Sequence, residues 1–434
     1  MKLDKQGGVI FLEKDTRSVP LQGELSTTKQ QLLRWASRFP YFAFYDNCEQ
    51  ATDQHGAYEL LIGVGQTYAP TIERWQDLPD HPEQWLMGLF PYELKNILEP
   101  HLHSQHQAWV QWPELSLFVP ETVLYIPRGG RTLYVEGKHP DLENLLARPP
   151  AWESDTPPHL PFKPTVSPPQ YLSTIEQFKE RIEAGDFYEI NLSQAFLAEG
   201  NIPEPARLYW ELTRISPVPF AGMFRFEDRY ILCASPERFL QLKDRQLLTQ
   251  PMKGTAPRAP EPAEDLAHYQ QLAQSEKERA ENVMIVDLSR NDLYRSSEIN
   301  SVQVPSLFEI QPFPKVWQMI STVIGRKRAD VPWHQAIGHA FPPGSMTGAP
   351  KVKTMEVIDE VEPLARGAYA GSLGYVKPGG DFDLNVIIRS MVYDASAEKL
   401  AYHVGGAITY DSDPEAEYQE TLLKARAIRE LLEG

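Results

Sequence analysis

Cysteine is scarce in this 434-residue sequence, which contains only Cys48 and Cys233. Two cysteines are too few for a disulfide framework, and their spacing is not that of a CxxC metal site. Long apolar runs are also missing, because no stretch approaches the roughly 20 apolar residues of a membrane span. The N-terminal stretch 1–14 lacks the apolar core of a secretion signal. These absences predict a reducing, cytoplasmic location and no membrane partner.

Positive charge is in deficit as well, since 42 lysines and arginines face 59 aspartates and glutamates. The resulting net charge of −17 argues against nucleic acid or an anionic membrane surface as a partner. Hydrophobic residues make up 42% of the chain, which is enough for a sizeable core. The composition therefore predicts a folded protein of two or three domains, or one large two-lobed enzyme.

Prolines crowd the stretch 149–169, where neither a helix nor a central strand could continue. We interpret it as a linker between an N-terminal region, 1–148, and a C-terminal region, 170–434. Directly after it, apolar residues recur at helical spacing over 171–182, and Gly185 is typical of a helix end.

Further elements are predicted in the C-terminal region. Runs rich in β-formers at 229–234, 238–242 and 246–249 are separated by turn residues and predict an antiparallel meander. The segment 265–288 contains no proline or glycine and predicts one long helix. A last helix is predicted over 413–432, with Ser412 or Asp413 as its cap.

Two pairs of glutamates share helix faces. Glu278 and Glu281 are three residues apart on one predicted helix, and Glu417 and Glu420 are three apart on another. If the helices face each other, the four carboxylates would form a site suited to Mg²⁺, which prefers oxygen ligands. Two solvated acidic helix faces are the alternative.

Glycines mark two candidate anion sites. The motif Gly344-Ser-Met-Thr-Gly-Ala-Pro-Lys351 is not a Walker A loop, because three residues rather than four separate its glycines. It precedes a predicted helix at 351–358, so its backbone N–H groups could bind a carboxylate, although an ordinary helix-entry turn is the alternative. Gly405-Gly406 could likewise present backbone donors or serve only as a tight turn.

Lys253 and Glu237 are the candidate reactive side chains. Lys253 lies in Pro251-Met-Lys-Gly-Thr255, and a loop lysine is typically an exposed, solubilising charge. To attack carbon it would have to lose a proton from a group with an unperturbed pKa of about 10.4, which a desolvated pocket would favour. Glu237 is a candidate acid or base, or simply the partner of a neighbouring cation.

Several motifs follow one another in a fixed order after the predicted linker. They are Gly185-Asp-Phe-Tyr-Glu-Ile-Asn-Leu-Ser-Gln194, Ser235-Pro-Glu237, Arg279-Ala-Glu-Asn-Val-Met-Ile-Val-Asp-Leu-Ser-Arg-Asn-Asp292, Gly344-Ser-Met-Thr-Gly-Ala-Pro-Lys351 and Asp413-Pro-Glu-Ala-Glu-Tyr-Gln-Glu-Thr421. Together they resemble the chorismate-utilising enzymes, which include anthranilate, aminodeoxychorismate, isochorismate and salicylate synthases. The resemblance implies an α/β (α+β) fold like that of anthranilate synthase component I, with two large packed antiparallel sheets, outer helices and a site between the sheets.

The resemblance also implies individual roles. Glu281 and Glu417 would be the principal Mg²⁺ ligands, supported by Glu278 and Glu420. Substrate-binding positions would be Arg389, Tyr375, Lys424, Gly405, Gly406, Thr347 and Gly348. Glu237 matches a general acid that protonates the departing C4 hydroxyl of chorismate. Lys253 matches a nucleophile that adds at ring C2 before ammonia enters at C4 and expels it.

Lys253 distinguishes members of the family, because the aminodeoxychorismate-forming members carry lysine here and the anthranilate-forming members usually carry alanine. Glu189 stands where water-using members usually have a lysine. Gln318 replaces a histidine tied to the elimination of pyruvate, and Asn385 replaces a serine or alanine. The resemblance therefore implies amination of chorismate to 4-amino-4-deoxychorismate, on the way to p-aminobenzoate and folate.

The source of ammonia is expected to be a separate glutaminase subunit, since neither cysteine lies in a Gly-x-Cys-x-Gly elbow. Two alternatives stay open. The chain could be an anthranilate synthase component, which would release pyruvate, or a non-catalytic scaffold that binds an amidotransferase. The presence of all four glutamates, Lys253, Glu237 and Arg389 disfavours the scaffold, because a scaffold needs neither a catalytic lysine nor a cluster of repelling carboxylates.

Overall fold

The computed structural model describes residues 2–3, 9–10, 16–50, 52–67, 69–138, 140–147, 152 and 158–433. Pro149, Pro150 and Pro157 of the predicted linker lie outside these residues, as does most of the stretch 1–14. Within the described residues, no helix is long and apolar enough to cross a membrane. The cytoplasmic location and the division of the chain at 149–169 stay predictions.

The strands and helices are labelled in chain order. The strands are β1 (Lys2–Leu3), β2 (Val9–Ile10), β3 (Thr16–Pro20), β4 (Tyr41–Asp46), β5 (Tyr58–Gly65), β6 (Thr71–Ile72), β7 (Leu86–Phe90), β8 (Ser116–Phe118), β9 (Thr122–Pro127), β10 (Thr132–Gly137), β11 (Lys163–Pro164), β12 (Glu189–Glu199), β13 (Phe220–Phe226), β14 (Arg229–Ser235), β15 (Arg238–Lys243), β16 (Gln246–Thr249), β17 (Met252–Pro257), β18 (Gln303–Pro312), β19 (Val316–Arg326), β20 (Gly348–Ala349), β21 (Ser372–Val376), β22 (Phe382–Asn385), β23 (Ser390–Asp394) and β24 (Lys399–Ile408). The α-helices are α1 (Leu25–Ala36), α2 (Lys95–Leu98), α3 (Leu142–Ala147), α4 (Pro168–Glu183), α5 (Pro205–Ile215), α6 (Pro262–Gln274), α7 (Glu276–Tyr294), α8 (Trp333–Ala340), α9 (Lys351–Val361), α10 (Pro414–Lys424) and α11 (Arg426–Leu432). Short 3₁₀ turns occur at Trp75–Asp77, Tyr92–Leu94 and Gly344–Met346.

Two large antiparallel sheets form the centre of the fold. The larger has the order β11-β12-β24-β23-β14-β13-β4-β5-β9-β10-β3, with β20 paired to β12. The smaller has the order β17-β19-β16-β15-β22-β21-β7-β8-β6, with β18 paired to β19. The predicted two-sheet α/β fold is confirmed. Strands from both sides of 149–169 share each sheet, because β4 pairs with β13 and β7 pairs with β21.

The two sheets pack face to face, with helices on the outside. Ala43 and Phe224 of the larger sheet share one buried apolar cluster with Met87 and Leu373 of the smaller sheet. The alternate residues of β4 point to the opposite face, where they pack with α1, α5 and α11. Helices α7 and α8 cover the outer face of the smaller sheet. The result is a four-layered core.

The predicted meander over 229–249 is wrong in one respect. β15 and β16 form an antiparallel hairpin, as predicted. However, β14 pairs with β13 and β23 in the larger sheet, whereas β15 pairs with β22 in the smaller one. Pro236 lies between the two strands and cannot donate to a sheet ladder, so the chain changes sheets there.

The predicted helix over 265–288 is two helices. Ser275 separates α6 from α7, and its side-chain oxygen accepts a hydrogen bond from the Glu278 backbone N–H at 3.3 Å, which caps α7. The last predicted helix also divides, at Ala425, into α10 and α11. Asp413 caps α10 by accepting a hydrogen bond from the Ala416 backbone at 2.9 Å.

The predicted linker is shorter than expected at its C-terminal end. Lys163–Pro164 forms an edge strand, and α4 begins at Pro168. Proline fits both positions, since an edge strand and the first turn of a helix need no inward backbone N–H. Helix α4 covers the predicted span 171–182, and Gly185 follows it with a φ of +87°.

Candidate active site

Most of the predicted site residues converge where β12, β17, β24, α7 and α10 meet. Strand β17 carries Lys253, α7 carries Glu278 and Glu281, and β24 carries Gly405 and Gly406. Helix α10 carries Glu417, Glu420 and Lys424, whereas Thr347 follows the 3₁₀ turn before α9 and Gly348 begins β20. Glu237 lies between β14 and β15, and Arg389 lies between β22 and β23.

Lys253 is buried rather than exposed. Its Nζ donates a hydrogen bond to Glu189 Oε1 at 2.6 Å, and the two side chains are 11% and 1% exposed. Burial by itself lowers the pKa of Lys253, but the carboxylates of Glu189, Glu281 and Glu237 more than offset this, so the pKa lies above its ordinary value. The resting lysine is therefore an ammonium group inside a ring of carboxylates.

The backbone around Lys253 is fixed by β19. The pairing register of β17 with β19 shifts between Met252 and Thr255, so Lys253 lies in an irregularity of the strand. Gln318 on β19 donates to the Gly254 carbonyl at 2.8 Å and accepts from the Thr255 hydroxyl at 3.0 Å. Gln318 therefore holds the backbone on the C-terminal side of Lys253.

Glu237 is a buried carboxyl group whose pKa lies well above its ordinary value. Burial raises the pKa of Glu237 to about 7, although the Ser345 hydroxyl, Lys253 and Arg389 act in the opposite direction. Ser345 donates to Glu237 Oε1 at 2.7 Å. Such a group is suited to donate a proton to a leaving oxygen. The role of Ser345 in orienting Glu237 was not predicted from the sequence.

Arg389 is a partly buried cation between β22 and β23. Its backbone has a φ of +52°, which is uncommon for a residue other than glycine. No acidic side chain within the described residues forms an ion pair with its guanidinium. Burial lowers the pKa of Arg389, and the neighbouring Glu237 raises it. An uncompensated guanidinium fits the planar carboxylate of a ligand.

The two glutamate pairs face each other across α7 and α10. Lys277 Nζ lies 3.9 Å from both Glu281 Oε1 and Glu417 Oε1, which joins the two helices at this point. Burial raises the pKa of Glu281 to about 7 and also raises the pKa of Glu278 and Glu417. Burial therefore disfavours the charged form of these carboxyl groups, and a bound cation would favour it.

Gly405 and Gly406 lie beside α10. Lys424 Nζ donates to the Gly405 carbonyl at 3.0 Å and forms an ion pair with Glu420 at 2.8 Å, which lowers the pKa of Glu420. A Cβ at Gly406 would lie 3.4 Å from Glu417 Oε2 and 3.7 Å from Lys424 Nζ. The glycine thus leaves its backbone open next to both charged groups.

The residues fit a magnesium ion that is completed by substrate. Among the described residues, no three histidine, cysteine, aspartate or glutamate side chains are gathered closely enough to form a ready metal cage. Mg²⁺ usually keeps several waters and takes one or two carboxylates together with substrate oxygens. Glu281 and Glu417 supply the required hard oxygen donors, and burial raises the pKa of both carboxyl groups. Mg²⁺ itself stays a prediction.

Gly348 is required by a close backbone approach. Its φ is +139°, and a Cβ there would lie 2.1 Å from the Glu189 carbonyl oxygen. The adjacent Thr347 is fully buried, and its carbonyl accepts a hydrogen bond from the Asn191 backbone at 2.9 Å. The predicted anion-binding turn is therefore attached directly to the strand that carries Glu189.

A buried ion pair between Arg366 and Glu362 holds the backbone of this turn next to β12. Arg366 donates to the Met346 carbonyl at 2.6 Å and to the Asn191 carbonyl at 2.9 Å, and it pairs with Glu362 at 2.6 Å. Glu362 also accepts hydrogen bonds from the backbone N–H and the hydroxyl of Ser193, both at 2.9 Å. This pair was not predicted from the sequence, where its only signal is an i, i+4 spacing of opposite charges.

Tyr375 is not brought together with the other predicted residues. Its ring packs against Tyr45, Tyr58 and Trp85, with centroid separations of 6.1, 5.7 and 5.9 Å. The charged groups near its hydroxyl include Asp383 and Arg238, neither of which belongs to the predicted set. Its position on β21 places it in the aromatic core between the sheets, so its surroundings give no support to the substrate-binding role predicted for it.

The fold of two packed antiparallel sheets and the order of the sequence motifs both agree with the chorismate binding enzymes. The model of that family matches residues 36–430, and the chain belongs to the family. The motif-based resemblance is thereby confirmed.

Within the family, the relatives include aminodeoxychorismate synthase component 1 of Klebsiella aerogenes, which is 37% identical over 356 residues, or 80% of this chain and 77% of that protein. The protein of the same name from Salmonella typhimurium is 41% identical over 369 residues, or 82% of this chain and 78% of that protein. Among solved structures, anthranilate synthase component I from Streptococcus pneumoniae TIGR4 superimposes with a TM-score of 0.71 at 26% identity, covering 98% of this chain and 95% of the other.

Proposed function

We propose that this chain aminates chorismate with ammonia to give 4-amino-4-deoxychorismate, through a covalent intermediate on Lys253. The observation that carries the proposal is the position of Lys253, which is buried against Glu189 with Glu237 and Glu281 as its other charged neighbours. The similarity to aminodeoxychorismate synthase component 1 supports the same reaction.

Substrate binding divides the two carboxylates of chorismate between two parts of the site. Arg389, which has no ion pair within the described residues, is positioned to bind one of them. The other meets α10, where Lys424 and the backbone of Gly405 and Gly406 lie beside Glu417. Two carboxylates repel each other, so binding beside Glu417 is favoured when a cation lies between the two.

Magnesium is proposed as that cation, held by Glu281 and Glu417 with Glu278 and Glu420 in support. When bound, it would neutralise the glutamates and fix the ring carboxylate. All remaining steps fall to residues of the chain.

Covalent catalysis replaces one difficult substitution by two easier ones. The amine of Lys253 adds to ring C2, both ring double bonds shift, and the C4–O bond breaks. Glu237 gives its proton to the departing hydroxyl, which leaves as water. Ammonia then adds at C4, the double bonds shift back, and the bond between C2 and Lys253 breaks. The enolpyruvyl group stays on the ring.

Retention of that group is supported by Gln318. Its side chain is hydrogen-bonded to both Gly254 and Thr255, and an amide is neither an acid nor a base near neutral pH. No proton transfer toward pyruvate elimination is therefore expected from this position. Ammonia is proposed to come from a separate glutaminase subunit, in agreement with the "component 1" in the names of the relatives.

Product identification tests the proposal. The purified chain is incubated with chorismate, MgCl₂ and ammonium chloride at mildly alkaline pH, and the products are identified by mass spectrometry. We expect 4-amino-4-deoxychorismate and no pyruvate. Anthranilate with pyruvate would show an anthranilate synthase component instead, and absence of turnover would favour a scaffold subunit. A parallel reaction with glutamine in place of ammonium is expected to give no product without a glutaminase.

A further inference from the structure

Glu189 is a buried carboxylate that has no role in the reaction steps proposed above. The residue is 1% exposed, and its Oε1 accepts the hydrogen bond from Lys253. Its second oxygen, Oε2, is also buried and has no hydrogen-bond partner among the described residues. A buried carboxylate oxygen without a partner is costly, so natural proteins seldom keep one without a reason.

The contact between Glu189 and Lys253 is built by segments that are far apart in sequence. Glu189 is held where β12 pairs with β20, opposite Ala349, and the preceding Tyr188 N–H also bonds to the Ala349 carbonyl at 2.8 Å. Lys253 is held on β17 by Gln318, which bonds to the next residue. Both ends of the 2.6 Å contact are thus fixed by the fold rather than by flexible side chains meeting at a surface.

The chemistry requires a proton acceptor at this place. An amine can attack carbon only with a free lone pair, and Lys253 is an ammonium group in the resting site. Glu237 already hydrogen-bonds to Ser345 and is needed in its protonated form. Among the described residues, Glu189 is the one carboxylate that accepts a hydrogen bond from Lys253 Nζ.

We propose that Glu189 is the base that removes the proton from Lys253 before the lysine attacks, and that it returns the proton when the lysine is released. The proposal rests on the covalent route given above. Transfer from Nζ to Oε1 converts two buried charges into two neutral groups, which removes the need to keep an ion pair desolvated. The hydrogen bond already defines the path of the proton.

The protons and electrons balance over the cycle. The proton leaves Nζ for Oε1, and the electron pair of the N–H bond remains on nitrogen and forms the new bond to C2. The C4–O electrons leave with the hydroxyl, which takes the Glu237 proton and departs as water. When ammonia adds at C4, the C2–N electrons return to the ring, and the proton lost by the incoming nitrogen restores Glu237. Lys253 then regains its own proton from Glu189.

Glu189→Gln tests the proposal, because glutamine keeps an acceptor oxygen for Lys253 but cannot take its proton. The purified enzyme is mixed with chorismate and MgCl₂ without ammonium, and the chorismate adduct on Lys253 is followed by intact mass and peptide mapping. In wild type we expect the adduct to form. In Glu189→Gln we expect its formation to slow by about 100-fold or more, the usual contribution of a positioned base. Glu189→Asp, which keeps a carboxylate, should recover part of the rate.

The outcomes separate this proposal from the one it rests on. If wild type forms no adduct, the covalent route fails, and the role of Glu189 fails with it. If both form the adduct at the same rate, only the role of Glu189 as a base is overturned. Normal adduct formation with a raised KM for ammonium would show instead that Glu189 binds ammonium, which also contradicts the proposal. Glu199→Gln makes the same chemical change at an exposed position of the same strand and should leave the adduct rate unchanged.

Discussion

Two groups of buried charges lie in this molecule, and they are organised in opposite ways. In the Arg238 cluster, formed by Arg238, Asp53 and Asp383, the guanidinium bonds to both oxygens of Asp383 at 2.9 and 3.1 Å and to Asp53 at 3.0 Å. In the site cluster, formed by Glu189, Lys253, Glu237, Glu281 and Arg389, the groups make few such bonds. Within the described residues, Glu189 Oε2 accepts no hydrogen bond, and Glu237 is the charged neighbour of the Arg389 guanidinium without forming an ion pair with it.

The difference shows which cluster is complete. Every oxygen of Asp53 and Asp383 accepts a hydrogen bond, and Arg128 adds a further cation 3.3 Å from Asp53. In the site cluster, burial raises the pKa values of Glu237 and Glu281 to about 7, and Glu189 Oε2 accepts no hydrogen bond within the described residues. A cluster whose buried polar groups are all hydrogen-bonded stabilises the fold. A cluster with unpartnered polar groups can bind a ligand through them.

The largest effect is expected from breaking the Arg238 cluster. Arg238→Ala should reduce the free energy of unfolding by about 3–5 kcal/mol, because it leaves two buried carboxylates without their shared cation. Urea denaturation followed by circular dichroism measures this loss. Arg245→Ala is the matched control, since Arg245 is 44% exposed and pairs with Glu298 at the surface. The control should lose about 0.5 kcal/mol or less. Equal losses in both variants would contradict the contrast.

A functional effect is expected from the site cluster. Lys253→Ala should slow amination of chorismate by about 100- to 1000-fold, since it removes the proposed nucleophile. The assay is the ammonium-dependent formation of 4-amino-4-deoxychorismate, with circular dichroism to show that the variant is folded. Lys243→Ala, at the exposed end of β15, is the control and should keep wild-type turnover. Undiminished turnover of Lys253→Ala would remove the proposed role, and partial activity at high ammonium would show direct attack of ammonia at C4.

The sequence could reveal those parts of the structure that depend on local pattern or on motif order. Helical spacing predicted α4 and its end at Gly185, and the ordered motifs predicted the family and the two-sheet fold. The glutamate spacing predicted that Glu278 and Glu281 share a helix, which they do although that helix begins at Glu276 rather than earlier.

Other features depend on contacts between distant segments, which no local pattern encodes. The assignment of β14 and β15 to different sheets follows from strand pairing across more than 100 residues. Glu189 and Lys253 are 64 residues apart, so nothing in the sequence around Lys253 indicated that it would be buried and paired. The hydrogen bond from Arg366 to the Asn191 carbonyl is equally non-local, since the two residues are 175 positions apart.

The smallest effect is expected from Lys277, a half-exposed lysine beside two of the glutamates. Lys277 is 50% exposed and lies 3.9 Å from Glu281 and Glu417, the pair proposed to bind magnesium. Because its charge repels an incoming divalent cation, Lys277→Ala should tighten Mg²⁺ binding by about two- to fivefold, in line with the modest strength of exposed charge pairs. Isothermal titration of Mg²⁺ without chorismate measures this directly. Lys353→Ala, which removes a similarly exposed lysine paired with Glu356 on α9, should leave the affinity unchanged. Weaker binding in Lys277→Ala would show that the lysine organises the glutamates for the metal rather than competing with it.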